Sequence, residues 1–267
     1  MRIHAPFTSA PASHAHKWGS CSRPWCVRPG GPGTAVAPPT RVSALPTAPL
    51  IKVCGVTRPE DAAHAAAEGA NLVGMIMWPR APRALTAEAA QAVAAAARSH
   101  GAEPVGVFVD EDAETIARVA QLGNFSTVQL HGAASQRGLA DIPLHLQVVF
   151  VVTVDADGKL QTEIPDPLPR PIDLFLVDSA KRKGPSIVLD WRTLPPPRLA
   201  SARWLLAGGL TAETVKEAIV TANPCGVDVS SGVCGPDGLA KDHAKVAGFV
   251  KAAAQGFSAI TPPAVGV

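Results

Sequence analysis

From Leu50 onward the chain alternates between two patterns of hydrophobic and polar positions. Short apolar, β-branched runs occupy 50–56 (LIKVCGV), 72–77 (LVGMIM), 104–109 (PVGVFV), 127–131 (TVQLH), 146–154 (LQVVFVVTV), 173–178 (DLFLVD), 203–208 (RWLLAG) and 226–231 (GVDVSS). Between most of them lie alanine-rich stretches with helical spacing, at 59–69, 86–100, 112–122, 212–222 and 239–254. Thr86 and Thr211 stand where N-caps belong, and Glu residues fall in several first turns. The runs predict eight strands and the intervening stretches predict helices.

Strands that are apolar almost throughout, separated by helices, predict a parallel sheet covered on both faces. Eight such units within about 210 residues are close to the smallest chain that closes a (β/α)8 TIM barrel. Two places fit poorly: 155–172 is rich in Asp, Gly and Pro with little helical spacing, and 185–200 contains Pro195, Pro196 and Pro197. A doubly wound open sheet is therefore the competing architecture. Strand count favours the barrel, because all eight runs are used without remainder.

Composition adds a boundary. Residues 1–49 carry five basic side chains (Arg2, Lys17, Arg23, Arg28, Arg41), nine prolines and no Asp or Glu; the first acidic residue is Glu60. The segment has no sustained apolar periodicity, so it is expected to be disordered on its own. An acid-free leader bearing Arg and hydroxyl residues, without a compact apolar stretch, has the character of an organelle transit peptide; a retained extension is the alternative. The expected organisation is a leader at 1–49, a single barrel domain at 50–256 and a tail at 257–267. The whole chain has 267 residues and a formal net charge of +2, with its basic residues spread out rather than gathered into a stripe. No nucleic-acid or membrane partner is expected from that distribution. No apolar run reaches the roughly 20 residues of a spanning helix. Five scattered cysteines do not form a disulfide framework. No cluster has metal-ligand spacing: Cys21 and Cys26 lie in the leader and His243 is isolated.

In a barrel of this kind chemistry collects at the C-terminal ends of the strands. The polar residues there are Cys54, Arg80 and Arg83, Asp110, His131, Asp178, the Gly208-Gly209 pair, and Asp228 with Ser230-Ser231-Gly232. Glycines and hydroxyls after the seventh and eighth strands suit a phosphate dianion, because unpaired N–H groups at turns and helix starts point their positive ends at it. Ordinary tight turns would also explain them. A thiol, which titrates near about 8.5 when unperturbed, becomes a general base where its thiolate is stabilised, and a desolvated carboxyl becomes an acid. Cys54 and Asp178 come from distant strands, so they could work on opposite sides of one small substrate. A buried Cys is also an ordinary core residue, and Asp178 could simply cap the segment after it.

Seven ordered motifs narrow these alternatives. The strings IKVCGVT, GMIMWPRAPRAL, PVGVFVDED, VQLHG, FLVDS, WLLAGGL and GVDVSSGVCGPDGLAKD follow one another from Ile51 to Asp242, within a resemblance that covers about residues 50–255. In content and order they resemble the phosphoribosylanthranilate isomerases of tryptophan biosynthesis, and most closely the plastid forms of plants and algae. The resemblance implies a cofactor-free Amadori rearrangement of N-(5-phosphoribosyl)anthranilate, an aminoaldose, to the aminoketose 1-(2-carboxyphenylamino)-1-deoxyribulose 5-phosphate. It implies Asp178 as general acid and Cys54 as general base. Arg83 would pair with the anthranilate carboxylate, His131 and Asp228 would bind substrate, and Gly184, Gly208, Gly209, Ser230, Ser231 and Gly232 would hold phosphate. It further implies a small-molecule partner only, a monomer or homodimer, and the chloroplast stroma as location. One departure stands out: where the family has a glycine cluster after the VDS motif, this chain has Lys181-Arg182-Lys183-Gly184-Pro185, keeping Gly184 alone. Another phosphosugar barrel, or a phosphate-binding relative without turnover, is the alternative.

Overall fold

The computed structural model of the protein describes residues 45, 49–179 and 189–260. The expected disorder of the leader, the basic segment with Gly184, and most of the predicted tail lie outside them. Eight strands follow in order: β1 (Leu50–Cys54), β2 (Leu72–Ile76), β3 (Glu103–Phe108), β4 (Thr127–Leu130), β5 (Gln147–Val154), β6 (Leu174–Ser179), β7 (Trp204–Leu206) and β8 (Gly226–Val229). Each pairs in parallel with the next, and β8 returns to pair with β1, so the sheet is a closed barrel. That last ladder, with Leu50 opposite Gly226 and Lys52 opposite Asp228, excludes the open sheet.

Among the described residues six α-helices cover the barrel: α1 (Pro59–Ala67), α2 (Ala87–Ser99), α3 (Ala113–Gly123), α4 (Ala133–Arg137), α5 (Val215–Ala222) and α6 (His243–Ile260). Their starts follow local chemistry. Proline opens α1, where its missing N–H costs nothing. The Thr86 hydroxyl accepts from the Ala89 amide at 3.2 Å to cap α2, as predicted. Asp112 caps α3 through the Thr115 amide at 2.9 Å. Thr211 departs from expectation. It heads a turn whose side chains and amides bond to Thr214, and the helix begins only at Val215. The short α4 was not evident in the sequence. Residues 155–172 between β5 and β6 form no helix, in keeping with their composition.

The domain edges also differ from the composition boundaries. Leu45, within the predicted leader, is buried in one cluster with Leu50, Leu72, Val105, Val149 and Leu205. At the other end α6 continues through residue 257 to Ile260, because Phe257 still packs into the core.

Candidate active site

Side chains alternate across a strand, so residues two apart share a face. On β1 this places Leu50, Lys52 and Cys54 together; on β6, Leu174, Leu176 and Asp178; on β8, Gly226 and Asp228; and from β4, Thr127, Gln129 and His131. Leu50, Leu174 and Leu176 belong to the apolar cluster that fills the barrel. The polar members of the same faces therefore sit inside the barrel, at or near its C-terminal mouth. Two-residue periodicity thus brings Cys54, His131, Asp178 and Asp228 to one end.

Lys52 is the feature that sequence reasoning passed over. It is fully buried, and its Nζ donates to Asp228 Oδ1 at 2.8 Å. Room for it comes from Gly74 on β2. A Cβ there would stand 2.8 Å from Cys54 Sγ and 3.2 Å from Lys52 Nζ, which puts sulfur and ammonium at most about 6 Å apart. Burial alone would favour loss of the lysine proton. The Asp228 carboxylate, and after it the Cys54 sulfur, more than reverse this and hold Lys52 charged, above the ordinary lysine range. Asp228 in turn lies within electrostatic reach of Asp178 and His131. The signal for Lys52 was present: a cation in the middle of LIKVC, matched by an anion in the middle of GVDV, is a buried pair written into two apolar strands.

Arg83 and Arg80, three residues apart, separate cleanly. Arg80 is 78% exposed, 3.6 Å from Asp110 and stacked over Trp78. Arg83 lies over Gly55, next to Cys54, its Nε 2.8 Å from where a Cβ would be. Its Nη2 donates to Ser230 Oγ at 2.8 Å, while Nη1 donates to Cys234 Sγ at 2.8 Å and to the Gly238 carbonyl at 3.3 Å. Of five guanidinium hydrogens, the Nε–H and one on Nη2 stay outside these bonds. Ser230 Oγ itself donates to the Cys54 carbonyl at 3.1 Å. The buried Lys241 donates from Nζ to the Ser230 carbonyl at 2.9 Å and lies 3.4 Å from Cys234 Sγ. Burial pulls Lys241 below the ordinary lysine range, Arg83 acts in the same sense, and Cys234 and Cys54 oppose both. Lys241 and Cys234 thus fasten the loop after β8, which the motif GVCGPDGLAKD alone did not reveal.

On the β6 side Asp178 is half-buried and its Oδ1 accepts from the Ser179 amide at 2.8 Å. Gly208 follows β7 with φ of +96°, and a Cβ on it would come within 3.1 Å of Asp178 Oδ1. Only glycine meets both demands. The amides of Gly209, Ser231 and Gly232 have no backbone acceptor among the described residues. The Ser230 hydroxyl is committed to Arg83 and Cys54, so it braces this region rather than facing outward. Gly208 and Gly209 do not abut α5, which starts six residues later; they are turn amides, not helix-end amides.

His131 borders a cavity of about 590 Å³ on the β4–β5 side, shared with Gln136, Arg137, Phe150, Thr153 and Thr162. Its Nδ1 is 3.2 Å from Gln129 Nε2. Cys54 is buried with 6% exposure and has no disulfide partner. Among the described residues no group of His, Cys, Asp and Glu could hold a metal ion, and no helix is long and apolar enough to cross a membrane.

The closed barrel and the ionisable groups gathered at one end of its strands define a (β/α)8-barrel enzyme. The chain belongs to the N-(5'-phosphoribosyl)anthranilate isomerase family, whose sequence model matches residues 51–252. It is 40% identical over 205 residues to N-(5'-phosphoribosyl)anthranilate isomerase 1, chloroplastic, of Arabidopsis thaliana, covering 76% of this chain and 74% of that one. It is 32% identical to the isomerase of Chlamydia felis over 76% of this chain and 96% of the relative. Among solved structures, the phosphoribosyl anthranilate isomerase of Thermotoga maritima matches with a TM-score of 0.65 and 30% identity, over 77% of this chain and 98% of that one. A further isomerase structure, in complex with reduced 1-(o-carboxyphenylamino)-1-deoxyribulose 5-phosphate, matches with a TM-score of 0.63 and 29% identity over the same shares.

Proposed function

We propose that this isomerase of tryptophan biosynthesis performs the Amadori rearrangement with Asp178 as general acid and Cys54 as general base. Asp178 gives its proton to the furanose ring oxygen as the ring opens, and the nitrogen lone pair forms the iminium. That cation acidifies the neighbouring C2′–H enough for a thiolate to remove it. The resulting enolamine becomes the ketone as a proton reaches C1′ and the C2′ hydroxyl loses its own. The observation that carries this reading is the placement of Cys54, Asp228 and Asp178 at the C-terminal ends of β1, β8 and β6, with Lys52 bonded to Asp228 and seated beside Cys54 in the space left by Gly74.

The remaining parts follow from what each side chain has free. Arg83, braced on three sides, offers its Nε–H and an Nη2 hydrogen to the anthranilate carboxylate, a charge-assisted grip. Asp228 accepts from substrate hydroxyls, and His131 borders the space for the substrate body. The turn amides of Gly208, Gly209, Ser231 and Gly232, joined by Gly184, receive the phosphate. No cofactor takes part. The acid-free leader, together with the chloroplastic relatives, supports import into the plastid stroma with removal of the leader near Arg41–Ala44, upstream of the buried Leu45. A monomer or homodimer agrees with the Thermotoga maritima relative, described as a dimeric enzyme from which monomers were generated.

The test is turnover of the aminoaldose by the purified protein, followed by its aryl-amine fluorescence. Cys54→Ala and Asp178→Asn are each expected to lower kcat by about 10²–10⁴-fold, the usual share of a proton-transfer group, with product-analogue affinity retained. Full activity in either variant refutes its assigned role. Binding of the product analogue by wild type without turnover would instead favour the non-catalytic alternative raised by the basic segment 181–183.

A further inference from the structure

The base assigned to Cys54 needs a thiolate, and the sulfur is buried, with 6% exposure. Its cationic neighbour from the same strand is Lys52, at most about 6 Å away and wholly buried. A lysine sealed inside a barrel is an unusual expenditure of hydration. One carboxylate, Asp228 at 2.8 Å, is enough to keep it in the fold, but does not explain why Gly74 leaves room for both ammonium and sulfur. Alanine at 74 would collide with Sγ at 2.8 Å. The space is shaped so that ammonium, sulfur and carboxylate share it.

We propose that Lys52 is a positioning residue for the isomerisation: its buried ammonium, shared between Asp228 and Cys54, stabilises the Cys54 thiolate and holds it aimed at the substrate. This rests on Cys54 being the base. The ammonium favours thiolate over thiol by attraction, and the Asp228 carboxylate works against it by repulsion while anchoring the lysine. Lys241, also within electrostatic reach of Cys54, adds a second positive group from the segment before α6. Among the described residues Arg83, Asp178, His131 and Cys234 are the further charged or titratable groups around this end of the barrel. When Cys54 takes the C2′ proton the thiolate becomes neutral, and Lys52 remains balanced by Asp228 alone. The lysine therefore never gives up its own proton.

A thiolate, not a thiol, reacts with iodoacetamide, so the rate at which Cys54 is carbamidomethylated at pH 7 reads the proposal directly. Peptide mass spectrometry separates Cys54 from the other four cysteines. Lys52→Met is expected to slow Cys54 modification severalfold, as loss of the neighbouring positive charge disfavours the thiolate. Lys52→Arg should restore most of the rate. Asp228→Asn keeps the ammonium and removes the opposing charge, so it should speed modification. Damage to packing would move both variants in the same direction, whereas the proposal requires opposite signs. An unchanged rate in folded Lys52→Met, or equal signs in the two, overturns it. If Lys52→Met does not fold, Asp228→Asn decides alone, and a rate equal to or below wild type overturns the idea. Cys54→Ala turnover separates the two levels. Activity in that variant removes the base assignment, while loss of activity with unaltered alkylation in the Lys52 and Asp228 variants removes only the role of Lys52.

Discussion

The two sides of the barrel mouth are built by opposite rules. Around β8, β1 and β2, the side chains of Lys52, Asp228, Ser230, Arg83, Cys234 and Lys241 bond to one another or to neighbouring backbone, and most are buried. Around β4 and β5 lies a cavity of about 590 Å³, beside which Gln136 of α4 reaches the Leu130 and Val151 carbonyls of the two strands and Thr153 meets Thr162. A charge that must act at a fixed point needs a rigid, desolvated setting. A substrate body that must enter and leave needs space. Under the proposed mechanism, the base Cys54 belongs to the first side, the acid Asp178 stands on β6, and the second side would accommodate the substrate body.

The largest expected break in that contrast comes from Arg83→Met. It removes the guanidinium from both the β8 loop and the proposed carboxylate site, and the loss of a charge-assisted paired contact should lower kcat/KM about 100-fold, close to 3 kcal/mol. Most of the change should appear in KM, because the carboxylate is held equally before and during reaction. A variant with normal KM would show that the guanidinium serves only the loop. Gly74→Ala comes next. The new methyl must displace the Cys54 sulfur or the Lys52 ammonium, and overpacking of this kind costs about 1–3 kcal/mol of stability. A fall in kcat with KM unchanged is expected from the moved sulfur; denaturant melts and steady-state kinetics on one preparation separate the two effects.

Asp61→Asn tests whether the closed side is also tied from behind. The Asp61 side chain is inaccessible, accepts from Arg58 Nη2 at 2.7 Å and from the Lys241 amide at 3.1 Å, and lies 3.0 Å from His243 Nε2. It thereby fastens the start of α1 to the segment that delivers Lys241. Burial pushes its carboxyl up, but the bonds from Arg58, Lys241 and His243 together outweigh burial and hold it below the ordinary 3.8. A depressed carboxyl contributes stability above its unfolded value, and the contribution is lost as pH falls through the folded value. Asn should therefore cost about 1–2 kcal/mol near neutral pH. The gap from wild type should close in acid below pH 3.8, and a gap that persists there would assign the cost to shape rather than charge.

How much of this was legible in the sequence follows the same division. The eight strands were visible because parallel barrel strands are apolar on both faces, and their ends placed Cys54, Asp178 and Asp228 without any contact being known. Arg83 could not be told from Arg80 by pattern, since both follow the same strand; only the fold turns one over Gly55 and the other onto Trp78. Lys52 was overlooked because its meaning depends on register. It is an anomaly in one strand until β8 is set beside β1 and Asp228 becomes its neighbour. Helix starts were legible where a side chain caps directly, as at Thr86, and not where a turn intervenes, as at Thr211.

The open side supplies the smallest effect, with His131. Its ring stands at the edge of the cavity, 3.2 Å from Gln129 Nε2, and is within electrostatic reach of Asp228. If the β4–β5 wall chiefly accommodates, His131→Ala removes at most one hydrogen bond to substrate, worth about 0.5–1.5 kcal/mol, or roughly a two- to tenfold rise in KM. The kcat should stay near wild type, because the proposed proton transfers belong to Cys54 on β1 and Asp178 on β6. A fall in kcat of the size expected for Cys54→Ala would place a proton-transfer group on the open side. The division between a fixed chemical wall and a roomy binding wall would then fail, since Asp228 would be exchanging influence with a catalytic imidazole across the mouth.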